Sequence, residues 1–262
     1  MIGNKDRCAL VTGASSGIGY EMAKLLAKDG KNLVIVARSQ DKLEELKTYI
    51  ENKYGTRVRV LPKDLSDPKA PQQIYSELER ENIEVDVLVN NAGFGVYGMF
   101  SQTDLQKELE MIQVNATSLI HLTKLFLKRM LENKSGSILN VASLCAFLPS
   151  PLESIYCATK SYVLHFSEAL ANELQGTGVS VTCLCPGLAK TEFHKRANME
   201  NTKIAKRKMM DAATVAEAGY KALKRGKVIS IPGLVYKFAP LFARVAPRNV
   251  VLKVVRSHHE PL

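Results

Sequence analysis

Tyr156 and Lys160 stand four positions apart in "YCATK", and Ser143 closes the strand-like run "SILNVAS" upstream of them. On a helix that spacing puts the phenol and the ammonium on one face. An ammonium beside a phenol favours phenolate and lowers the phenol pKa, each unit being worth about 1.36 kcal/mol. A tyrosine held this way can act as a general acid near neutral pH. Helices with no chemistry to perform also carry such pairs, so the surrounding residues decide its meaning.

Other candidates recur at similar places. "TGASSGIG" runs from Thr12 through Gly13, Ser15, Ser16, Gly17 and Ile18 to Gly19. It follows the short β-prone run "CALVT" and precedes "YEMAKLLAKDG", whose apolar Met22, Leu25 and Leu26 have helical spacing before a glycine stop. The glycines therefore sit where a strand turns into a helix. There they permit a tight reversal and let backbone N–H groups approach a pyrophosphate at the positive end of the helix; an ordinary glycine-rich turn has the same composition.

After the next run, "NLVIVA", comes Arg38, where a site selecting NAD would carry an acid for the ribose 2′-hydroxyl. No acid occurs from Val36 to Gln40, and a guanidinium can fork onto a 2′-phosphate. NADPH is the expected cofactor; the competing reading, a solvated arginine at a strand end, leaves the missing acid unexplained. Asp64 and Leu65 follow "RVRVL", and Asn91, Ala92 and Gly93 follow "VDVLVN". Both sets suit the rim of a nucleotide cleft, although Asp and Asn-Gly turns are common loop chemistry as well.

The elements that must hold these residues alternate. The six strand-like runs "CALVT", "NLVIVA", "RVRVL", "VDVLVN", "SILNVAS" and "VSVTCLC" are separated by stretches of helical length, which predicts a parallel sheet covered on both faces. Ligands of such sheets lie beyond the carboxyl ends of the strands, where every candidate falls. After Cys185 the pattern loosens into a polar basic stretch, a helix over 214–225, a short strand at "VISI" and a segment punctuated by Pro240 and Pro247.

With 262 residues, 46% of them hydrophobic, the chain can bury a full core as one domain. No apolar run reaches 18 residues and Lys5, Asp6 and Arg7 follow closely on Met1, so neither a span nor a signal-peptide core is expected, which favours the cytoplasm. The five cysteines include no C-x-x-C pair and read as reduced thiols; the five histidines form no ligand pattern, and no metal site is expected.

In combination the residues say more. TGASSGIG, the NNAG of Asn90–Gly93, the serine after a strand, Y-x-x-x-K and Pro186-Gly187 with Thr191 occur in order at strand ends, and this resembles the short-chain dehydrogenase/reductase family over about residues 7–192. The resemblance implies an α/β fold: a Rossmann-type doubly wound parallel sheet in three α/β/α layers. It implies one domain over 1–262, with a substrate lid over 188–212 and a basic, helical C-terminal extension over 226–262. It makes the glycine loop a dinucleotide phosphate site. It further implies a catalytic tetrad of Asn115, Ser143, Tyr156 and Lys160. Tyr156 would protonate a developing alkoxide, Ser143 would hydrogen-bond the carbonyl oxygen, Lys160 would hold the nicotinamide ribose, and Asn115 would anchor a water-linked proton relay. Asp64 would contact adenine, Asn91 would border the cofactor, and Pro186, Gly187 and Thr191 would hold the carboxamide end. "LPSPLESIYCATKSYV" and "IPGLVYKFAPLFARVAPR" are similar to the branch of 3-oxoacyl reductases and 17β-hydroxysteroid dehydrogenases, whose membrane-bound members carry an N-terminal anchor that this sequence does not show.

Phe94, Tyr97, Met99, Phe100, Leu144, Phe147, Leu148 and Phe193 are expected to overhang the reacting centre and favour an apolar carbonyl substrate, such as an acyl chain or steroid-like ketone; as core residues under a loop they would carry no such meaning. The basic residues from Lys195 to Lys208 could meet an acidic carrier, acyl carrier protein or coenzyme A, or form a solvated face. The competing functional class is an NADPH-binding sensor or scaffold without catalysis. No module that reads bases is present, so nucleic acid is not an expected partner. The family resemblance implies a homodimer or homotetramer packed through the helices after Asn115 and Tyr156. The net charge of +10 is concentrated in the tail: nine Lys and Arg residues and no acid from Ala218 to His259. This tail is expected to cap the substrate cleft, the alternative being contact with an anionic membrane surface.

Overall fold

The computed structural model describes residues 6–260. All six strand-like runs are strands: β1 (Asp6–Thr12), β2 (Asn32–Ala37), β3 (Val58–Pro62), β4 (Ile83–Asn90), β5 (Gly136–Val141) and β6 (Val179–Leu184). Short β7 (Ala189–Lys190) and β8 (Met210–Asp211) follow, and β9 (Ile229–Ser230) forms at "VISI". Seven strands make one parallel sheet in the order β3-β2-β1-β4-β5-β6-β9. The order reverses beside β1, so a crevice opens between the carboxyl ends of β1 and β4.

The central strands β1, β2, β5 and β6 are largely buried along their length because both faces are covered, whereas β3 and the start of β4 carry charged residues between apolar ones. Along β1, Ala9 and Val11 enter one core while Cys8 and Leu10 enter the other. The first face is packed by α1 (Gly17–Lys28), α2 (Gln40–Tyr54) and, later in the chain, the helix following β8, through Met22, Leu46 and Val215. The second is packed by α3 (Ala70–Arg80) and, beyond α4 (Leu105–Ile112), by α5 (Ser118–Glu132) and α6 (Ser154–Glu173), through Ile74, Phe126 and Leu170. Truncating a fully buried residue such as Leu10 to alanine should cost about 2–5 kcal/mol.

Beyond β6 the segment 188–212 contains α7 (Phe193–Arg196), and its ends are tied together by parallel pairing of β7 with β8, Ala189 opposite Met210. The helix expected over 214–225 is α8 (Ala212–Lys224). Three helical pieces close the described chain: a 3-10 turn (Val235–Phe238), α9 (Ala239–Val245) and α10 (Arg248–His259). Among the described residues no helix is long and apolar enough to cross a membrane. Four of the five cysteine thiols are buried.

Candidate active site

The glycine loop leaves β1 at Thr12 and enters α1 at Gly17. Gly13 and Gly17 have φ of +66° and +58°, a region that disfavours any Cβ. Space demands glycine too: a Cβ on Gly13 would lie 2.8 Å from Asn91 Nδ2, one on Gly17 3.0 Å from Thr191 Cγ2, and one on Gly19 would collide with Gly13 O. Thr12 and Asn91 lock the loop to β4. The Thr12 hydroxyl donates to Val89 O at 3.2 Å and accepts from the N–H groups of Asn91 and Ala92, each at 3.0 Å. Asn91 Nδ2 returns a bond to Thr12 O at 2.9 Å. Thr12 begins the glycine motif, yet nothing in its type marks it as the brace between the two strands.

Asn115 sits in a single turn of π-helix (Gln113–Thr117) between α4 and α5. The extra residue of a π-turn re-aims side chains, here toward the loop after β4. Fully buried, Asn115 accepts from Phe94 N–H at 3.1 Å and donates to Phe94 O at 2.9 Å and Thr159 Oγ1 at 3.2 Å. Lys160 and Tyr156 project from α6, both buried, with Lys160 Nζ 5.8 Å from the Tyr156 ring centroid and donating to Val141 O at 2.9 Å. Ser143 lies just beyond β5 rather than in it and caps the 3-10 turn Leu144–Phe147, accepting from Cys145 N–H at 3.3 Å.

The electrostatics differ from the expectation of a lowered tyrosine pKa. Burial, the largest influence, raises the Tyr156 pKa well above its usual value, and a hydrogen bond with Ser143 only partly opposes it. Burial pulls Lys160 down to about 8. Desolvation penalises phenolate and ammonium alike, and at this depth it is the largest influence on both groups. The pair therefore offers a neutral phenol beside a lysine that is easily deprotonated.

A cleft of about 1060 Å³ connects these groups to the glycine loop. Gly13, Ser15, Ser16, Gly17 and Ile18 line one wall, and Arg38, Asp64 and Leu65 line the far end. Asn91, Ala92 and Gly93, with Tyr156, Lys160, Pro186 and Thr191, line the other end. Of the remaining candidates, Gly19 packs behind the loop, Asn115 and Ser143 stand behind the wall, and Gly187 lies beneath the Tyr236 ring, which a Cβ would strike. Arg38 is 70% exposed, and its guanidinium lies 3.8 Å from the Asp64 carboxylate. Ser39 and Lys63 also line this rim. They follow strand ends, and that position was the only signal pointing to them.

Of the apolar residues expected above the reacting centre, Phe94, Tyr97, Met99 and Phe193 line the cleft, the Phe193 ring 5.0 Å from that of Tyr156. Phe100 is largely exposed. Leu144 and Phe147 are not lining residues but belong to the 3-10 turn packed between α6 and α9, and Leu148 follows it. Of the basic residues from Lys195 to Lys208, Arg196 lines the mouth; the polar side chains of Gln102, Lys107 and Asn198 beside it carried no sequence signal.

The tail behaves in two ways. The end of α10 reaches the rim of the cleft at Tyr97, where Tyr97 Oη donates to His259 O at 2.5 Å and Lys203 pairs with Glu260 at 2.9 Å. The expectation that the apolar residues of the tail pack against the domain is wrong for most of residues 234–245, where Leu234, Val235, Phe238, Leu241, Phe242 and Val245 face solvent and Tyr236 packs over Gly187. Pro240 lies in the first turn of α9 rather than breaking a helix, and the inward positions are occupied by Ala239, Pro240 and Ala243 beside Tyr236.

A family model for short chain dehydrogenases matches residues 7–202. The chain belongs to the short-chain dehydrogenase/reductase family. It is 32% identical to a very-long-chain 3-oxoacyl-CoA reductase of Pyrenophora tritici-repentis, over 98% of this chain and 78% of that protein. A short-chain dehydrogenase of Sphingobium yanoikuyae, solved in complex with NADPH, superposes with a TM-score of 0.83 at 31% identity, covering 91% of this chain and 93% of that one. A Comamonas testosteroni alcohol dehydrogenase specific for bulky-bulky ketones gives 0.77 at 31% identity, covering 87% and 86%. This short-chain dehydrogenase/reductase is thus an oxidoreductase acting between CH–OH and C=O groups with a nicotinamide cofactor. The residues present fit such a group: the loop ends on the N-terminus of α1 at Gly17, whose first N–H groups have no helical carbonyl to bond, and a Cβ on Gly93 would lie 3.3 Å from Lys160 Nζ, so that wall must stay bare.

Proposed function

We propose that this short-chain dehydrogenase/reductase reduces the carbonyl of an apolar substrate, a ketone or 3-oxoacyl compound, to a secondary alcohol with NADPH. The observation that carries the reading is the buried, neutral Tyr156 phenol with Lys160 at the opposite end of one cleft from the glycine cradle, Ser143 standing behind the wall in hydrogen-bond contact with the phenol. The cofactor, when bound, supplies the hydride. The Gly13–Gly17 loop and the start of α1 would hold its pyrophosphate, Arg38 its 2′-phosphate, and Asp64 and Leu65 its adenine. Asn91, Ala92 and Gly93 would border it, Lys160 would hold the ribose, and Pro186, Gly187 and Thr191 the carboxamide.

The chain's own groups handle the proton. Tyr156 stays protonated because burial disfavours phenolate, so it can donate from Oη to a carbonyl oxygen as negative charge develops there. Ser143 donates a second hydrogen bond to that oxygen and stabilises the same charge. Lys160, with a pKa near 8, is mostly cationic at neutral pH and favours the tyrosinate left behind. Asn115 holds the Phe94 backbone on both sides, fixing the loop that forms the apolar wall, and anchors the return path for the proton.

Phe94, Tyr97, Met99 and Phe193 give the substrate end its apolar character, which supports a bulky or long-chain carbonyl compound. The fungal and Comamonas relatives named for 3-oxoacyl-CoA and bulky ketones support the same class. The exposed Tyr162 on α6 supports packing of copies through α5 and α6 into a homodimer or homotetramer. A panel of aryl ketones, steroid ketones and 3-oxoacyl thioesters, assayed by NADPH oxidation, tests the reading. Turnover of at least one apolar class is expected; tight NADPH binding with no turnover across the panel would overturn it in favour of a sensor.

A further inference from the structure

Residues 234–245 form a helical segment turned inside out. Leu234, the 3-10 turn Val235–Phe238 and α9 continue one another through helical backbone at Leu234, Phe238 and Ala239. A surface helix of a folded domain normally turns its large apolar residues to the core. Here Leu234, Val235, Phe238, Leu241 and Val245 are 76%, 82%, 69%, 60% and 75% exposed, and Phe242 beside them is exposed too. At 100° per residue these six positions fall within roughly 120° of arc, a single outward stripe. The inward side is made of Ala239, Pro240 and Ala243, partly buried, with the Tyr236 ring over Gly187. Small residues let the helix lie close to the domain, so the stripe is not a core face left loose.

Charge identifies what covers the stripe. Lys237 and Arg244, seven positions apart, share one flank of it and are exposed, and from Ala218 to His259 no acid balances them. A second copy meeting this face about a twofold axis would set the same cations against one another. An anionic bilayer offers both missing partners: acyl chains for the stripe and headgroups for the bases.

The geometry points to residues 234–245 as an interfacial docking element that lays its Leu234–Val245 stripe into an anionic lipid surface, with Lys237 and Arg244 at the headgroups. This depends on neither substrate nor cofactor assignment. No residue of the stripe belongs to the catalytic or cofactor site, so its replacement should leave turnover in solution intact.

The test is co-sedimentation of the full chain with vesicles of phosphatidylcholine alone and of phosphatidylcholine with about one third phosphatidylserine. Binding to the anionic vesicles is expected, falling steeply when salt is raised from about 0.1 M to 1 M, where the screening length drops from about 10 Å to about 3 Å. Replacing Lys237 and Arg244 together by glutamine should reduce partitioning roughly thirtyfold, taking about fivefold for each basic residue at the surface. Phe238→Glu with Leu241→Glu should abolish binding while circular dichroism and NADPH oxidation stay unchanged. Three results would overturn the proposal: no pelleting with anionic vesicles, undiminished pelleting of the Phe238→Glu/Leu241→Glu variant, or a lipid-free dimer that this variant converts to monomer, which would make a second copy the occupant.

Discussion

His259 Nε2 lies 2.8 Å from Glu153 Oε2, each residue 6% exposed, while His259 Nδ1 lies 2.8 Å from Val255 O. With an acceptor at each nitrogen, the ring satisfies both contacts only as imidazolium. This joins the end of α10 to the start of α6, two helical turns at most from Tyr156.

The clasp should be pH-dependent. Burial, the largest influence, lowers the His259 pKa, but the hydrogen bonds to Glu153 and Val255 O outweigh it and the net shift is upward. A raised folded-state pKa gives stability that is full below the unfolded value of about 6.5 and is lost as pH rises through the raised value. The other groups around the ring are the Ser150 hydroxyl, 3.4 Å from Nε2, the Tyr97 phenol on the backbone carbonyl, and the Lys203–Glu260 pair. His259→Ala should cost about 2 kcal/mol near pH 6 by leaving Glu153 buried and unpaired, and less near pH 9. Thermal melts of both proteins across that range check it; a gap independent of pH would sink the assignment.

Tyr156→Phe should remove nearly all turnover, at least about a hundredfold, with NADPH affinity little changed, because it deletes the proton donor and leaves the glycine cradle intact. Single-turnover kinetics beside cofactor titration measure both. Near-normal turnover would refute the proton assignment.

Arg38→Asp should weaken NADPH binding by about 1.5–3 kcal/mol, since it removes the charged partner of the 2′-phosphate and sets a second carboxylate beside Asp64. NADH binding should change far less. An unchanged ratio of the two dissociation constants would rule out Arg38 as the discriminating residue.

Lys160→Met should damage turnover and NADPH binding yet raise stability at neutral pH. The lowered folded-state pKa, about 8 against an ordinary 10.5, means that a buried charge is maintained at a cost at pH 7. That cost is complete below pH 8 and disappears as pH rises toward 10.5. The variant should gain on the order of 1–3 kcal/mol at pH 7, and the gain should shrink at alkaline pH. Denaturant melts at both pH values decide; a less stable variant at pH 7 would show that the bond to Val141 O outweighs desolvation.

Local residue patterns alone determined the sheet, the glycine loop and the pairing of Tyr156 with Lys160. Each depends on neighbours within a few positions: an apolar run forms a strand, glycines permit positive φ between strand and helix, and a spacing of four defines a helix face. The parallel order then brings Arg38, Asp64, Asn91 and Ser143 to one edge, because carboxyl ends of parallel strands share a side. Tertiary packing decided the rest. Leu144 and Phe147 left the substrate wall for the seat of α9, Tyr236 took the space over Gly187, and burial reversed the expected direction for Tyr156. The tail was misread for the same reason: composition shows how many apolar residues a segment has, but which face turns inward depends on the surface it meets. Here the inward side carries Ala239, Pro240 and Ala243 with the Tyr236 ring over Gly187, and Phe238 and Leu241 are turned outward.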